Sequence, residues 1–470
     1  MQFLPELTLL GAGLVIFLLS LGKTDIDKMK TFAIILGTIT FGATLLSWDQ
    51  EGTLFFGSYQ VDLYSQVFKI LIAGAMLVVL ILGRQLKDIK KSVHPEYYLF
   101  LFISVLGLMM LVSSIELLAI FVALELSSFA VYIMVAMRND SGSSRFQMEA
   151  GIKYLLFGVT ATGFMLFGMS YMFGLTGSTQ LSVVMSKLSY MYAQPAAIVA
   201  ILMVLAGFFY KLAIFPFHFW VPDVYEGAAN ETTAFIASVP KLAAVALLIR
   251  IISMVNGEGQ VIVNVLMACA ILSMFYGNLS ALIQTDLKRL LGFSGIAHAG
   301  FVLLGILTFQ LSGYANAIYY ISGYVVMNLA CFLVICSITS HGENVQINDL
   351  SGLHKRSPLL ALTLAVALFA LAGIPPFVGF MGKFMILTGA LKQGFLIMVI
   401  LAALNTAIAI FYYLSVIRVT YCSDPNNHGR INSNLFTKTA SIVLMLIIII
   451  MGVIPQPFLN FATSTVQAIM

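Results

Sequence analysis

Charge is what this sequence has least of. Only 9% of its 470 residues are Asp, Glu, Lys or Arg, against about 25% in a soluble globular domain. That scarcity excludes a water-soluble enzyme, a nucleic-acid binder and a disordered chain. Long polar stretches are missing as well. The longest polar connections, near 341–357 and 421–436, are each shorter than the roughly 50 residues that the smallest soluble domains need. Cysteine is sparse: Cys269, Cys331, Cys336 and Cys422 form no CxxC and no Cys/His pair at metal spacing. Nothing here suits haem, an iron–sulfur cluster or copper, and no Gly-rich phosphate loop has its strand–turn–helix context. No redox chemistry, cofactor site or metal site is therefore expected on this chain. The first apolar run follows Pro5 and Glu6 with no basic leader, so no cleavable signal sequence is expected.

What is present is apolar. Hydrophobic residues make up 60% of the chain, and the mean hydropathy is +1.00. The apolar runs are continuous, as from Leu359 to Phe377 and from Ala440 to Val453. A β-barrel would instead alternate apolar and polar residues over segments of ~10 residues. The fold class expected is an all-α polytopic membrane protein, a single transmembrane domain over residues 1–470. Reading apolar runs against polar interruptions predicts about fourteen spans. They are 4–22, 31–48, 63–83, 97–114, 116–137, 150–175, 196–222, 230–253, 260–281, 284–307, 312–340, 358–391, 393–417 and 437–460.

The basic residues orient these spans. Loops and span ends on one side collect Lys23, Lys28, Lys30, Arg84, Lys87, Lys90, Lys91, Arg138, Arg145, Lys153, Lys288, Arg289, Lys355, Arg356, Arg418, Arg430 and Lys438, 17 of the 24 basic residues. The other side holds Lys187, Arg250 and Lys392. By the positive-inside rule the first side is cytoplasmic, which places both termini on the outer side of a bacterial plasma membrane. One inner connection, with Asp223, Glu226 and Glu231, is acidic and suggests a role other than topology.

Four lysines remain outside the loops: Lys69, Lys211, Lys241 and Lys383. Lys69 lies near the outer end of its span, where snorkelling accounts for it. The other three are too deep. A charge at bilayer depth costs at least ~2.5–3.5 kcal/mol, so each must be paired, hydrated or used. Glu125 is also mid-span and shares a helix face with Ser128 and Tyr132, a possible start of a hydrogen-bonded relay. Glu116 points the opposite way and reads as interfacial. His298 is at mid-depth with Ser294 one turn before it. Imidazole takes and releases protons near neutrality, though a buried histidine can equally be structural, as His218 can.

Proline gives these lysines their setting. Pro216 has no N–H for the carbonyl of Leu212, so the seventh span should break one turn after Lys211. Pro375 and Pro376 should likewise free the carbonyls of Leu371 and Ala372 near Lys383, and Gly373, Gly379 and Gly382 permit close helix approach. Pro240 beside Lys241 could loosen the eighth span. The two broken spans lie five apart and so run in opposite directions. That is the signature of inverted repeats, here 97–253 and 260–417, preceded by three helices within 1–96 and followed by a last helix within 418–470. A lysine whose partner charge comes and goes is a proton switch, and a row of them can pass protons.

Four stretches carry a resemblance to a known family. They are Glu125-Leu-Ser-Ser, Pro216-Phe-His218-Phe-Trp220-Val-Pro222-Asp223-Val-Tyr225-Glu226-Gly, Asp286-Leu-Lys288-Arg289-Leu-Leu-Gly-Phe-Ser294 and Gly373-Ile-Pro375-Pro376-Phe-Val-Gly379-Phe-Met-Gly382-Lys383-Phe. With them the chain resembles, over nearly its whole length, the antiporter-like membrane subunits of respiratory complex I, and it is most similar to the subunit-N type. The L type is longer and ends in a lateral helix. The M type usually has a Glu at the position of Lys383 and a histidine-containing stretch after Pro-Asp. One departure is Ala229-Asn230, where relatives commonly have Ala-Pro.

The resemblance implies that Glu125 is the charged partner of Lys211 in an amino-terminal half-channel. It makes Lys241 the central connecting residue, His298 part of the hydrophilic axis, and Lys383 the residue of the carboxy-terminal half-channel. NADH, FMN, iron–sulfur clusters and quinone would be bound by partner subunits of the membrane-bound NADH–quinone oxidoreductase. This chain would couple their electron transfer to proton pumping. Two other readings stay open: a subunit of a multisubunit cation/proton antiporter with no NADH link, and a scaffold whose buried charges only lock helices. Under the last, Lys383→Met should leave coupling intact.

Overall fold

Helices begin and end in this chain where its prolines, glycines and short polar caps fall. The computed structural model describes residues 1–22, 26–83, 86–139, 144–254, 259–424, 429, 431 and 434–470. Of the inner-side cations predicted above, Lys23, Arg84 and Arg430 lie outside the described residues, as does the side chain of Arg145.

The order begins α1 (Leu4–Ser20), α2 (Ile26–Leu46), a hairpin of β1 (Gly52–Leu54) and β2 (Tyr59–Val61), α3 (Leu63–Leu82), α4 (His94–Ser113), α5 (Leu117–Ala136), α6 (Ser144–Thr176) and α7 (Leu181–Leu188). Then come α8 (Pro195–Leu212), α9 (Val221–Gly227), α10 (Asn230–Ser253), α11 (Gln260–Ala281), α12 (Leu287–Ile306) and α13 (Leu311–Ile338). The chain finishes with α14 (Leu353–Arg356), α15 (Pro358–Ala372), α16 (Val378–Lys392), α17 (Leu396–Cys422), α18 (Leu435–Val453) and α19 (Gln456–Gln467). The fold is all-α and polytopic. Among the described residues, twelve helices are long and apolar enough to cross a membrane, and α1 and α15 are shorter apolar helices.

The nearly fused fourth and fifth spans part as expected. α4 stops at Ser113, and Glu116 caps α5 by accepting from the Ala119 N–H at 2.7 Å. That is the interfacial role expected of Glu116, since a carboxylate suits a helix N-terminus.

α10 and α12 form the interior and are almost wholly buried, whereas α2, α6, α11, α17 and α18 expose large apolar faces. Such faces suit lipid. α10 packs against α3, α4, α8, α12 and α13, so anything on it is far from the bilayer. It stays continuous through Pro240; the expected loosening does not occur. Helices on every side hold it, which is how transmembrane helices tolerate proline.

The seventh and twelfth spans do break. α8 ends at Leu212 and Ala213 turns left-handed at φ 63°; α15 ends at Ala372 and Gly373 does the same at φ 86°. An alanine in that conformation is strained, and glycine is not. Close approach then seats the second break: a Cβ on Gly379 would lie 1.8 Å from the Ala370 carbonyl oxygen.

One further sequence expectation needs correction. Lys69 does not snorkel. It is fully buried and pairs at 2.8 Å with Glu6 of α1, a helix that packs against α2 and α4. The acidic connection after α8 has no Lys or Arg of its own but is paired in the fold. Asp223 pairs with Arg289 at 2.9 Å and Lys153 at 2.5 Å, and Glu226 pairs with Arg289 at 2.6 Å. Arg138 ion-pairs with Asp88 and donates to the Glu226 carbonyl at 2.8 Å. The partners come from α6 and α12, so only the folded chain brings them to this loop.

Candidate functional site: a buried polar axis

Glu125, Lys211, Lys241, His298 and Lys383 are all buried, and they fall into two groups.

The first group surrounds Glu125 on α5 and Lys211 in the last turn of α8. Each feels the other's charge, yet they make no contact ion pair among the described residues. Glu125 Oε1 and Lys211 Nζ have no hydrogen-bond partner. Glu125 lines a cleft of about 490 Å³ between α5 and α6, with Thr162 across from it. Ser128 donates its hydroxyl to the Leu124 carbonyl of its own helix at 2.7 Å and keeps lone pairs that can accept from Tyr132. Tyr132 lies beside Ser128 and Tyr210 and leads into a cluster of edge-on and tilted aromatic rings. Tyr132 meets Tyr154 at 5.2 Å, and Tyr154 meets Trp220 at 4.7 Å and Tyr210 at 5.5 Å between ring centroids.

The break below Lys211 is closed by other groups. Trp220 Nε1 donates to the Tyr210 carbonyl at 3.1 Å, and the Phe215 N–H donates to Ser273 at 2.9 Å. His218 lies among Phe215, Phe219 and Tyr276, and neither ring nitrogen has a partner.

The second group is hydrogen-bonded throughout. Lys241 Nζ donates to the Tyr324 hydroxyl at 3.0 Å. The Tyr324 ring packs on His298 at 5.1 Å. His298 Nδ1 is 2.6 Å from the Tyr320 hydroxyl and its Nε2 is 3.2 Å from the Tyr413 hydroxyl. Tyr412 donates to Asn278, whose amide donates to Asn405 at 3.0 Å. Lys383 Nζ donates to the carbonyls of Leu371 at 2.9 Å and Ala372 at 3.2 Å. Those are the two acceptors that Pro375 and Pro376 cannot satisfy. The ammonium also lies 5.2 Å over the Phe301 ring, which neighbours Tyr320. Between the groups stands Tyr225 of α9, with an unpartnered phenol and Tyr154 and Tyr324 as electrostatic neighbours.

Sequence reading missed Tyr225, Tyr320, Tyr324 and Tyr413. Tyr320 and Tyr324 stand at i, i+4 in the middle of an otherwise apolar helix. Two phenols on one face at that depth were an available signal, but tyrosine is common enough in apolar helices to pass unnoticed. Lys288, read as a residue at a span end, is fully buried and donates to the Ala228 carbonyl at 2.8 Å.

The arrangement suits proton movement. Lysines, a carboxylate, an imidazole and phenols are spaced across α5, α8, α9, α10, α12, α13 and α16, and each can give or take a proton at a defined atom. Among the described residues, no three His, Cys, Asp or Glu side chains are grouped to hold a metal ion.

Comparison with known proteins bears on what this axis does. The family model of the NADH:quinone oxidoreductase/Mrp antiporter transmembrane region matches residues 114–409. A curated relative from Opitutus terrae, named NADH-quinone oxidoreductase subunit N 2, is 47% identical over 100% of this chain and 98% of its own length. Another of that name, from Syntrophobacter fumaroxidans, is 41% identical over 100% and 99%. A chain in the structure of respiratory complex I from Thermus thermophilus with bound aureothin superposes with a TM-score of 0.84 at 29% identity, covering 98% of this chain and 99% of that one. The Mrp complex from Dietzia contains a chain of the same fold, with a TM-score of 0.86 at 18% identity and coverage of 100% and 98%. The chain belongs to the NADH:quinone oxidoreductase/Mrp antiporter transmembrane family.

Proposed function

We propose that this chain is a proton-translocating membrane-arm subunit of NADH–quinone oxidoreductase, of the subunit-N type. Its relatives at 47% and 41% identity carry that name over essentially their full length, and the two-group polar axis supplies the groups such a subunit needs. Glu125 and Lys211 form the amino-terminal half-channel, with Lys211 as the switch. Lys241 connects to His298 through Tyr324. Lys383 stands at the second helix break. Residues 97–253 and 260–417 are inverted repeats in a frame of fourteen spans, with both termini on the outer side of a bacterial plasma membrane. The matching left-handed turns at Ala213 and Gly373 support the repeat. NADH, FMN, iron–sulfur clusters and quinone belong to partner subunits, and no redox site is assigned to this chain.

The observation that carries the reading is the buried Lys211 ammonium with no hydrogen-bond partner beside Glu125, whose Oε1 also has none. A structural ion pair would close up in contact, since a buried charge left without partners is costly. Two groups held apart but within each other's field can each change protonation in response to the other, with the proton itself passing to a third group or to water. Lys211→Ala and Glu125→Ala should each strongly lower quinone-linked proton pumping in proteoliposomes while the complex still assembles. Wild-type pumping in both would sink the assignment.

The second reading, a cation/proton antiporter subunit, is kept because the Dietzia Mrp chain shares the fold. Copurification of the tagged chain decides it: NADH-oxidising partners favour the first reading, and antiporter subunits the second.

A further inference from the structure

A second set of buried polar groups lies outside the repeats, on the side of the bundle opposite the cation-rich loops. Asp62 is the N-cap of α3, and Gln66 and Lys69 follow it at i+4 and i+7 on neighbouring turns of that helix. All three are buried, and Gln66 and Lys69 have no exposed surface at all. At one end of the strip Asp62 takes a two-pronged bond from Arg250 of α10, at 2.8 and 3.0 Å. Tyr64 lies under that guanidinium at 5.0 Å and donates to the Ala246 carbonyl at 2.7 Å. At the other end Lys69 Nζ is 2.8 Å from Glu6 Oε1, which also accepts from the Tyr59 hydroxyl at 2.6 Å.

The two ends differ in how well they are satisfied. Both oxygens of Asp62 are bonded. Around Lys69, polar atoms are left over. Glu6 Oε2 and both polar atoms of the Gln66 amide have no protein partner, and the lysine ammonium has no acceptor in good geometry; the Ser113 hydroxyl lies beside the Tyr59 phenol. Buried polar groups are almost always hydrogen-bonded, to water where protein does not serve. A dry site would leave each of them with its full desolvation cost.

We infer that Glu6 of α1, Tyr59 of β2, Gln66 and Lys69 of α3 and Ser113 of α4 enclose ordered water and form a further proton-holding site, most of it contributed by the chain that precedes the repeats. The ligands are water and one exchangeable proton, shared between the Glu6 carboxylate, the Lys69 amine and the Tyr59 phenol. Gln66 bridges by water toward Asp62 and Arg250. α10 carries both Arg250 and Lys241, so the strip meets the helix of the central lysine at its Arg250 end. The inference rests on the proposed proton-translocating function.

The test uses the assembled complex in proteoliposomes, with proton pumping measured per NADH oxidised. Gln66→Leu removes the amide that holds water and leaves the ion pair in place. The double variant Glu6→Gln with Lys69→Met removes both charges together, so that neither is stranded. Each should keep NADH oxidation and lose as much pumping as Lys211→Ala does. Normal pumping in Gln66→Leu overturns the inference whatever the double variant does, since the pair is then only a structural bridge. If Lys211→Ala also pumps normally, the proposed function itself falls. If Lys211→Ala loses pumping and Gln66→Leu does not, only this site is withdrawn.

Discussion

The two proline breaks look alike in sequence and treat their lysines in opposite ways. Lys383 bonds the carbonyls of Leu371 and Ala372, which its break releases. Lys211, equally close to its own break, has no hydrogen bond to its ammonium. The reason is helix direction. Side chains on an α-helix tilt toward its N-terminus. Lys383 follows its break, on α16, so its chain leans back onto the open C-terminus of α15, where the helix dipole is negative and attracts a cation. Lys211 precedes its break, on α8, and leans away from the carbonyls released below it. The difference teaches that a Pro-broken span does not by itself make an ion site. Whether the cation lies before or after the proline decides if it is anchored or left free to respond to another charge.

Four outcomes would break or sharpen this comparison. The largest effect is expected at Gly379, where any Cβ runs into the Ala370 carbonyl. Gly379→Val should abolish assembly of the chain into its complex, read by native gel, because backbone cannot yield as a flexible side chain can. Next is Lys383→Met. It strands two buried carbonyls at about 1–3 kcal/mol each, so it should lower both pumping and the thermal stability of the complex. Lys211→Met strands no carbonyl and should lower pumping with stability unchanged. Equal stability losses in the two methionine variants would refute the asymmetry. The smallest effect is expected from Tyr324→Phe, which keeps the ring against His298 but removes the acceptor of Lys241. Pumping should fall by less than the roughly 10²-fold at the low end for loss of one acid–base group, with assembly intact. An unchanged rate would remove Tyr324 from the path.

Much of this was legible in the residues. Span positions followed from apolar runs, and the breaks at Pro216 and Pro375–Pro376 followed from the missing N–H groups. Even the two carbonyls that Lys383 uses could be named in advance. Pro240 shows the limit of that reasoning, since the same missing N–H leaves α10 whole. The deep lysines stood out because each violates the local composition. Lys69 was misjudged for a complementary reason: its depth in α3 was readable, but its pairing with Glu6 of α1 was not. Tyr320, Tyr324 and Tyr413 passed as ordinary apolar-helix aromatics until their hydroxyls were found around His298 and Lys241.

The sequence by itself determined that this chain lives in a bilayer, where its helices interrupt and which few charges are out of place. Those are local properties, set by hydropathy over some twenty residues and by the covalent chemistry of proline. Only the tertiary structure decided which charges meet. The pairings Glu6–Lys69, Asp62–Arg250 and Asp223–Arg289, like the separation of Glu125 from Lys211, depend on helix direction and on which helix covers which. Those are properties of packing between segments far apart in the chain, and no local pattern records them.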